Sequence, residues 1–365
     1  MAAAPFANRL CEVLGIRHPV LLAGMAGGYT TPELVAAVSE AGGLGAFGLN
    51  GMTVDAAAEA VGRARALTAA PVAVNVLVAP PTPPDRRGRD PRAALAPLRR
   101  ELGLPDEPPP PPPPATPRQL VSAGLGAGAN VVSVAMGDPG DVHDLAREAG
   151  VPLVAMASSV DDAVRSARSG ADVIVAQGAE AGGHRSSFDV SEEGDVPLIG
   201  TFALVPQVVR AVDVPVVAAG GVMDGRGLAA ALALGAQGIQ MGSRFLVAAE
   251  SGAPEGYKHR LREAQDVDTV ITRAVSGRPA RGLPNRLVAA LEAAGPPALG
   301  YPHQAAASGD LRAAAAAADR PEMIALWAGQ AAGLARGSTP AGEIVDQVVA
   351  EAAAVLRDLG VQLKG

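Results

Sequence analysis

Between Pro19 and Phe245, short apolar runs alternate with alanine-rich stretches of helical character. The runs are apolar throughout rather than alternating, which is typical of parallel strands covered on both faces. They predict strands at residues 20–25, 44–48, 72–77, 131–136, 152–157, 173–177, 215–219 and 238–242. Helices are expected between them, for example at 31–41, 160–169 and 224–235. Eight strand–helix repeats favour an α/β fold of the TIM (β/α)8 barrel type over an open doubly wound sheet.

The regular pattern is interrupted between the third and fourth predicted strands. Residues 79–118 carry two proline-rich runs, PPTPPD and DEPPPPPPPAT. Because proline lacks an amide donor and fixes its own φ, this stretch is not expected to form a helix or a central strand. We interpret it as a semi-rigid excursion over the barrel mouth. The alternative is a ligand for a proline-reading domain.

After Phe245 the pattern changes to helical segments, including 309–319 and 342–359, with no convincing strand. The sequence therefore predicts a barrel over residues 1–245 and a smaller, mostly helical attachment over residues 246–365. The attachment is placed to cover the active site. Tyr301, His303 and Trp327 are the attachment side chains that could reach the pocket.

Composition and charge narrow the class of protein. The 365 residues are 48% apolar and 18% charged, which is typical of a globular protein, and no apolar run approaches the ~18 residues of a membrane span. A net charge of −7 without clustered basic residues argues against nucleic-acid binding. The N-terminal residues lack a secretory signal pattern, and the single cysteine, Cys11, cannot form an internal disulfide. We therefore expect a cytoplasmic protein.

Glycines follow the seventh and eighth predicted strands, where barrels of this type commonly hold a phosphate. The residues at these two strand ends are Gly220, Gly221, Gln240, Met241, Gly242 and Ser243. Glycines let backbone amides approach an anion, and the Ser243 hydroxyl adds a further donor. We therefore predict a phosphate site at this edge of the barrel.

The sixth predicted strand leads into the segment QGAEAGGHR, residues 177–185. Gln177 ends an apolar strand, and glycines such as Gly182 permit close approach of the backbone to a ligand. His184 is the only histidine that follows the C-terminal end of a predicted strand. Its imidazole titrates near neutrality and suits a general base or a hydrogen-bond donor to an anionic substrate. The alternative is a surface-loop histidine.

Two other segments are compatible with a flat ligand. Asn75 interrupts the run VAVNVL, and a buried amide needs hydrogen-bond partners, which the edge of a heteroaromatic ring could supply. The alternative is an amide satisfied within the core. Gly24, Met25 and Ala26 open a glycine-rich segment after the first strand, whose small residues would let a ring lie against the backbone.

Three competing classes lack the residues they require. A nucleotide-oxidising dehydrogenase barrel needs a thiolate in a loop of the active face, whereas Cys11 precedes the first strand. We expect no metal, because there is no His-x-His on the first strand and no carboxylate–histidine set at the strand ends. A dinucleotide fingerprint fails because no acidic residue stands at the end of the second strand.

Several of these segments together resemble the FMN-dependent nitronate monooxygenases, formerly called 2-nitropropane dioxygenases. They lie between about residues 14 and 290 and read PVLLAGMAGGYTTPELVAAVSEAGGLGAFG, AVNV, VIVAQGAEAGGHR, VPVVAAGGVMDGRGLAAALALGAQGIQMGSRF and TRAVSGRPARGLPN. GAEAGGH combined with QMGS is specific at the superfamily level. Flavin-dependent enoyl-acyl-carrier-protein reductases share the EAGGH segment.

The resemblance implies FMN as cofactor and a catalytic role for His184. It implies FMN contacts from Asn75, Gln177, Gly182, Gly221 and residues 240–243, with Met25 and its neighbours along the ring. The chain departs from the family at residues 22–25, where LAGM replaces the usual Gln-Ala-Pro-Met, and at Ser243, where Thr is common.

The reaction implied is oxidation of an alkyl nitronate with dioxygen to a carbonyl compound and nitrite. A neutral nitroalkane would first lose its α-proton to His184. One alternative is an NAD(P)H-dependent enoyl-acyl-carrier-protein reductase. An alternative of another class is a non-catalytic flavin- or phosphate-binding protein. We expect small-molecule partners and neither nucleic acid nor membrane, and a homodimer is left open.

Overall fold

The computed structural model describes residues 5–107, 114–191 and 194–362. Its strands are β1 (Val20–Leu22), β2 (Gly45–Gly48), β3 (Val72–Leu77), β4 (Val131–Ala135), β5 (Leu153–Ala157), β6 (Val173–Gln177), β7 (Gly183–His184), β8 (Val216–Ala219), β9 (Gly238–Met241), β10 (Val270–Thr272), β11 (Ala280–Leu283) and β12 (Leu326–Trp327). Its helices are α1 (Arg9–Leu14), α2 (Pro32–Glu40), α3 (Val54–Leu67), α4 (Pro91–Glu101), α5 (Pro117–Gly126), α6 (Gly140–Glu148), α7 (Val160–Arg168), α8 (Thr201–Ala211), α9 (Gly225–Ala233), α10 (Ser243–Leu246), α11 (Glu255–Glu263), α12 (Arg286–Ala293), α13 (His303–Ala306), α14 (Gly309–Ala317) and α15 (Ala341–Gln362).

Eight of the strands form one parallel barrel. They are hydrogen-bonded in the order β1-β9-β8-β6-β5-β4-β3-β2. A parallel bridge between Leu21 and Leu44 joins the first strand to the start of the second and closes the ring. Each of the eight strands falls within a predicted apolar run, so the predicted TIM barrel is confirmed.

The helices around the barrel begin where the sequence places capping side chains. Thr31 accepts a hydrogen bond from the amide of Leu34 at the start of α2. Ser159 and Asp224 cap α7 and α9 in the same way. These side chains satisfy amides that the first helical turn leaves without partners, so the predicted helices at 31–41, 160–169 and 224–235 are confirmed.

Helix α1 closes the N-terminal end of the barrel. Leu10, Cys11 and Leu14 pack with the apolar side chains that fill the barrel interior. Asn8 and the amide of Leu10 hydrogen-bond to Gln237, which directly precedes β9. The opposite, C-terminal end is where a barrel of this kind carries its functional loops.

The prediction that no strand follows Phe245 is wrong. Strands β10, β11 and β12 pair antiparallel, and β7 from the loop after β6 pairs with β11, which makes a second small sheet. These strands are only two to four residues long, so they carry no periodic signal in the sequence. Their pairing joins the attachment to the barrel loop that contains His184.

The last helix packs with the barrel. Ile344, Val345 and Val348 of α15 belong to the same core as the barrel helices. An added Cβ at Gly225 would lie 2.4 Å from the amide nitrogen of Ala352, so the start of α9 touches the α15 backbone. The division at residue 245 stays a prediction, but the observed packing places α15 with the barrel. No helix in the described ranges combines the length and hydropathy that crossing a bilayer requires.

The proline-rich excursion contains a helix, contrary to the prediction. Helix α4 forms between the two proline runs because Asp90 caps it and Pro91 stands in its first turn, where no amide donor is needed. The chain before α4 follows the attachment: the amides of Thr82 and Arg89 donate to the carbonyl oxygens of Tyr301 and Ala294. Residues 108–113 of the second proline run lie outside the described residues.

A buried ion pair holds α4 on the attachment. Arg99, only 1% exposed, donates to both carboxylate oxygens of Asp310 at 2.9 and 2.8 Å and to the carbonyl oxygen of Pro105. Asp310→Ala would remove the carboxylate that hydrogen-bonds this guanidinium and leave only the more distant charge of Asp106. We expect the free energy of unfolding to fall by about 2 kcal/mol, less than for a fully buried pair because the Asp310 side chain is 36% exposed.

The matched control is Asp144→Ala, which removes an exposed carboxylate from its pair with Arg118. Denaturant unfolding of both variants measures the difference. An Asp310→Ala protein as stable as the Asp144→Ala protein would show that α4 does not depend on this pair.

Candidate active site

Side chains that point into the barrel change from apolar to polar at the C-terminal ends of the strands. The middle of the barrel is filled by apolar residues. Closer to the mouth, inward positions of four strands carry Asn75, Ser133, Gln177 and Gln240. Asn75 is the register partner of Ser133, while Gln177 and Gln240 both pair with Ala219. The four polar side chains form what we call the rim layer.

The segment after β1 lies on the rim layer. An added Cβ at Gly24 would lie 2.5 Å from the Cβ of Asn75 and 2.9 Å from the carbonyl oxygen of Phe47, so only glycine fits there. Met25 is half-buried and Ala26 is exposed. Asn75 Nδ2 donates to Ser133 Oγ at 3.0 Å, whereas its Oδ1 accepts no hydrogen bond from the described residues. The structure therefore brings the predicted residues 24–26 and Asn75 together.

The backbone of His184 is held from two sides. It pairs with Ala280 across β7 and β11. Its carbonyl oxygen accepts a hydrogen bond from Gln177 Nε2 at 2.9 Å, and Gln177 Oε1 accepts one from the Ser186 amide at 2.9 Å. Gln177 thus uses both ends of its amide to position the histidine loop, and its contact with a flavin stays a prediction.

The imidazole of His184 lies between a hydroxyl and an indole. Its Nε2 is 2.8 Å from Ser276 Oγ, and its ring centroid is 5.4 Å from that of Trp327. Burial, and then the charges of Arg278 and Arg312, lower the pKa of His184 to about 4. The imidazole is therefore neutral at physiological pH and can accept a proton.

This low pKa predicts an unusual pH profile. The ordinary value is 6.5, so a free imidazole would lose its base form below that pH. We expect kcat/KM for a neutral nitroalkane to stay level as the pH falls through 6.5 and to decline only near pH 4. A steady-state pH series measures this, and a midpoint near 6.5 would contradict the assignment. The same shift makes folding less favourable as the pH falls from 6.5 towards 4, because the unfolded state then binds the additional proton.

The turns after β8 and β9 are neighbours because their strands pair. Gly220 and Gly221 have φ angles of +106° and +73°, in the left-handed region that favours glycine. Within the described ranges, the amides of Gly221, Gly242 and Ser243 donate no hydrogen bond. An added Cβ at Gly221 or Gly242 would meet nothing closer than 3.6 Å. Free donors beside open space are what a phosphate group requires, so the predicted site is compatible with the structure.

Arg244 directly follows Gly242 and Ser243 in the chain. Its Nη1 is buried and has no hydrogen-bond partner among the described residues. Burial lowers the pKa of the guanidinium, and the charge of Asp224 acts against that shift. A buried charged donor without a protein partner has the chemistry that an oxyanion site needs.

The attachment closes against the loop that carries His184. An added Cβ at Gly182 would lie 2.6 Å from the backbone of Ala328 and of Gly329, so the space at this glycine is filled by the attachment. The Gly329 amide donates to Ser243 Oγ at 3.0 Å, and the Gln330 amide donates to the carbonyl oxygen of Glu180 at 2.9 Å. Gly182 and Ser243 therefore also bind the attachment, and their contacts with a flavin stay predictions.

The three attachment residues named from the sequence have different positions. Trp327 reaches the site, since its ring packs on His184. Tyr301 is half-buried and lies close enough for the Arg278 charge to act on its pKa, which burial raises. His303 is exposed.

Four residues of the site were not found from the sequence: Ser133, Ser276, Arg278 and Arg312. Ser133 had a signal, because it interrupts the apolar run VVSVA as Asn75 interrupts its own run. The other three come from the attachment: Ser276 and Arg278 lie between β10 and β11, and Arg312 lies on α14. No cluster of three or more potential metal ligands occurs in the part of the chain that the structure describes.

Comparisons with known proteins show the family of the chain. The family model described as nitronate monooxygenase matches residues 7–351. A curated protein of Staphylococcus saprophyticus described as a probable nitronate monooxygenase is 36% identical over 351 residues, which are 94% of this chain and 97% of that protein.

Solved structures are similar over the same length. A nitroalkane oxidase from Streptomyces ansochromogenes has a TM-score of 0.86 at 37% identity, covering 96% of this chain and 100% of that one. FabK from Thermotoga maritima has a TM-score of 0.77 at 31% identity, covering 98% and 99%. The extent and identity of these matches show that the chain belongs to the nitronate monooxygenase family of enzymes.

Proposed function

We propose that this protein uses FMN and dioxygen to oxidise alkyl nitronates to a carbonyl compound and nitrite. The observation that carries the proposal is the His184 imidazole at the barrel mouth, 2.8 Å from Ser276 Oγ, whose pKa is lowered by burial and by the charges of Arg278 and Arg312. Two cations favour an anionic substrate, and a neutral imidazole can accept the α-proton of a nitroalkane. Nitroalkanes are therefore included as a second substrate class.

The residues fit FMN in two places. The amides of Gly221, Gly242 and Ser243, with Arg244, would hold its phosphate, because they offer donors without protein partners. The flavin ring would lie near the segment 24–26 and the rim layer, where Asn75 Oδ1 and the Gln240 side chain have no hydrogen-bond partner in the described chain. When bound, FMN supplies an electron acceptor that dioxygen can reoxidise.

The protein's own residues bind and orient the substrate and accept its proton. Arg278 and Arg312 favour the nitro group's negative charge near His184. With a neutral nitroalkane, the α-carbon–hydrogen bond breaks, its electron pair stays on the nitronate, and the proton passes to the imidazole. The Trp327 ring contacts the imidazole at a tilt of 55°.

The first experiment is the visible absorption spectrum of the purified protein, with the released cofactor identified by chromatography. We expect a flavin spectrum and FMN rather than FAD. A colourless protein that stays colourless after incubation with FMN would contradict the proposal.

An NAD(P)H-dependent enoyl-acyl-carrier-protein reductase remains the second candidate. The FabK match supports it, but both identity and TM-score are higher for the nitroalkane oxidase. A reductase would also need a basic surface for an acidic carrier protein, and the net charge here is −7. Anaerobic mixing separates the two: we expect a nitronate to bleach the flavin faster than NADH does. A non-catalytic flavin-binding protein would turn over neither the nitronate nor NADH.

A further inference from the structure

Ser276 makes three hydrogen bonds around His184. Its Oγ is 2.8 Å from His184 Nε2, 3.1 Å from the carbonyl oxygen of Arg278 and 3.3 Å from the amide nitrogen of Arg278. The serine is 3% exposed, so water does not replace these partners. The direction of each bond follows from what each atom can donate.

A hydroxyl has one proton to donate and two lone pairs that accept. The carbonyl oxygen of Arg278 can only accept, so the Ser276 proton points to it. The Arg278 amide can only donate, so Ser276 Oγ accepts this hydrogen bond with one of its lone pairs. The remaining lone pair faces His184 Nε2, which must then donate. This is the one arrangement that satisfies all three bonds, and it puts the proton of the neutral imidazole on Nε2.

The turn that carries Ser276 is fixed on both sides. The Gly277 amide donates to the carbonyl oxygen of Arg273 at 2.8 Å, and an added Cβ at Gly277 would lie 2.7 Å from the amide of Tyr301. Arg278, 1% exposed, donates from its side chain to the carbonyl oxygen of Ser187, three residues after His184. The hydroxyl is therefore held in place independently of any ligand.

We infer that Ser276 is a positioning residue that holds His184 as the Nε2–H tautomer, so that Nδ1 is the atom that receives the substrate α-proton. The consequence for catalysis rests on the proposed function, whereas the tautomer itself does not. In the step, the α-carbon–hydrogen bond breaks, its electron pair remains on the nitronate, and Nδ1 gains the proton. The imidazolium then carries protons on both nitrogens, and Nε2 keeps its bond to Ser276.

The charged groups that act on the imidazole are both cations. Arg278 comes from the turn between β10 and β11, and Arg312 comes from α14. Both disfavour a proton on the free imidazole and both attract the nitronate that proton removal creates. Nδ1 is therefore unprotonated before substrate binds. Once the anion is present, its charge offsets the repulsion between the two arginines and a proton on Nδ1.

The tautomer is tested by ¹⁵N NMR of the full-length protein labelled at histidine, at neutral pH. The chain has five histidines, so the spectrum of His184→Gln assigns the signal. We expect wild-type His184 to be protonated at Nε2 and unprotonated at Nδ1. A wild-type spectrum with the proton on Nδ1 would overturn the inference, whether or not the protein oxidises nitronates.

The role of Ser276 is tested in the same spectrum and by turnover. In Ser276→Ala we expect a mixture of tautomers and a kcat for neutral nitroalkane lower by about 10- to 100-fold, as when a partner that orients a functional imidazole is removed. Ser276→Thr, which keeps the hydroxyl, should retain the Nε2–H form and most of the activity.

The matched control is Ser251→Ala, which removes another buried serine hydroxyl whose bond is to the Ala253 amide. It should leave both the tautomer and kcat unchanged. A Ser276→Ala protein that keeps a pure Nε2–H tautomer would show that Ser276 does not hold it. Loss of activity in Ser276→Ala and Ser251→Ala alike would assign the effect to general destabilisation and overturn the positioning role.

Discussion

His184→Ala is expected to lower kcat/KM for a neutral nitroalkane by about 10²- to 10⁴-fold, the range that general acid–base catalysis contributes. The reason is that the two side chains next to the imidazole in the described site, Ser276 and Trp327, cannot replace His184 as a base. Turnover of a preformed nitronate should fall far less, because its α-proton is already gone. Parallel assays with a nitroalkane and its nitronate, each following nitrite release, measure the ratio.

The matched control is His259→Ala, which changes an exposed histidine on α11 whose Nε2 lies 3.3 Å from Glu263. It should leave both activities unchanged. The His184→Ala protein should also keep its bound flavin, because the proposed phosphate site follows β8 and β9 and does not include His184. Equal losses with nitroalkane and nitronate would contradict the role of His184 as a base.

Arg244→Met is expected to weaken FMN binding by about 10- to 100-fold. Hydrogen bonds to charged groups contribute about 1.5–3 kcal/mol. Arg244 has a buried donor without a partner among the described residues, and it directly follows Gly242 and Ser243, whose amides are free. Folding should be little affected, because the replaced guanidinium makes no hydrogen bond to the described residues. Fluorescence titration of the flavin-free protein measures the dissociation constant.

Riboflavin, which lacks the phosphate, distinguishes a phosphate contact from a ring contact. Its affinity should be similar in wild type and in Arg244→Met. The matched control is Arg226→Met on the neighbouring helix α9, where the side chain is 78% exposed and should not alter FMN binding. Equal losses of FMN and riboflavin affinity in Arg244→Met would contradict a phosphate site at this position.

The barrel was predictable because its strands are buried on both faces and therefore apolar throughout. The runs 72–77 and 173–177 coincide with the bounds of β3 and β6. The second sheet was not predictable from the sequence, because β11 reads ARGL and forms a strand only by pairing with β7, β10 and β12. The helical character of α15 was visible in the sequence, but its return to the barrel depends on contacts with α9 far earlier in the chain.

The site residues also divide into those that the sequence indicates and those that it does not. Asn75 was visible because a polar residue interrupts an apolar strand, and Gln177 and His184 were visible because they end or follow one. Such residues meet near the C-terminal end of a parallel barrel. Ser276 is 92 residues from His184 and acts through a side-chain hydrogen bond, for which no local pattern exists. Gly182 was singled out for close approach, and the group that approaches it in the structure is the backbone at Ala328 and Gly329.

Nitrite release from an alkyl nitronate in air tests the central claim most directly. The wild-type protein, supplied with propionate 3-nitronate and no NADH, should release nitrite over many turnovers while dioxygen is consumed. A flavin-containing protein that releases no nitrite under these conditions, but is reduced rapidly by NADH, would contradict the account and favour the reductase.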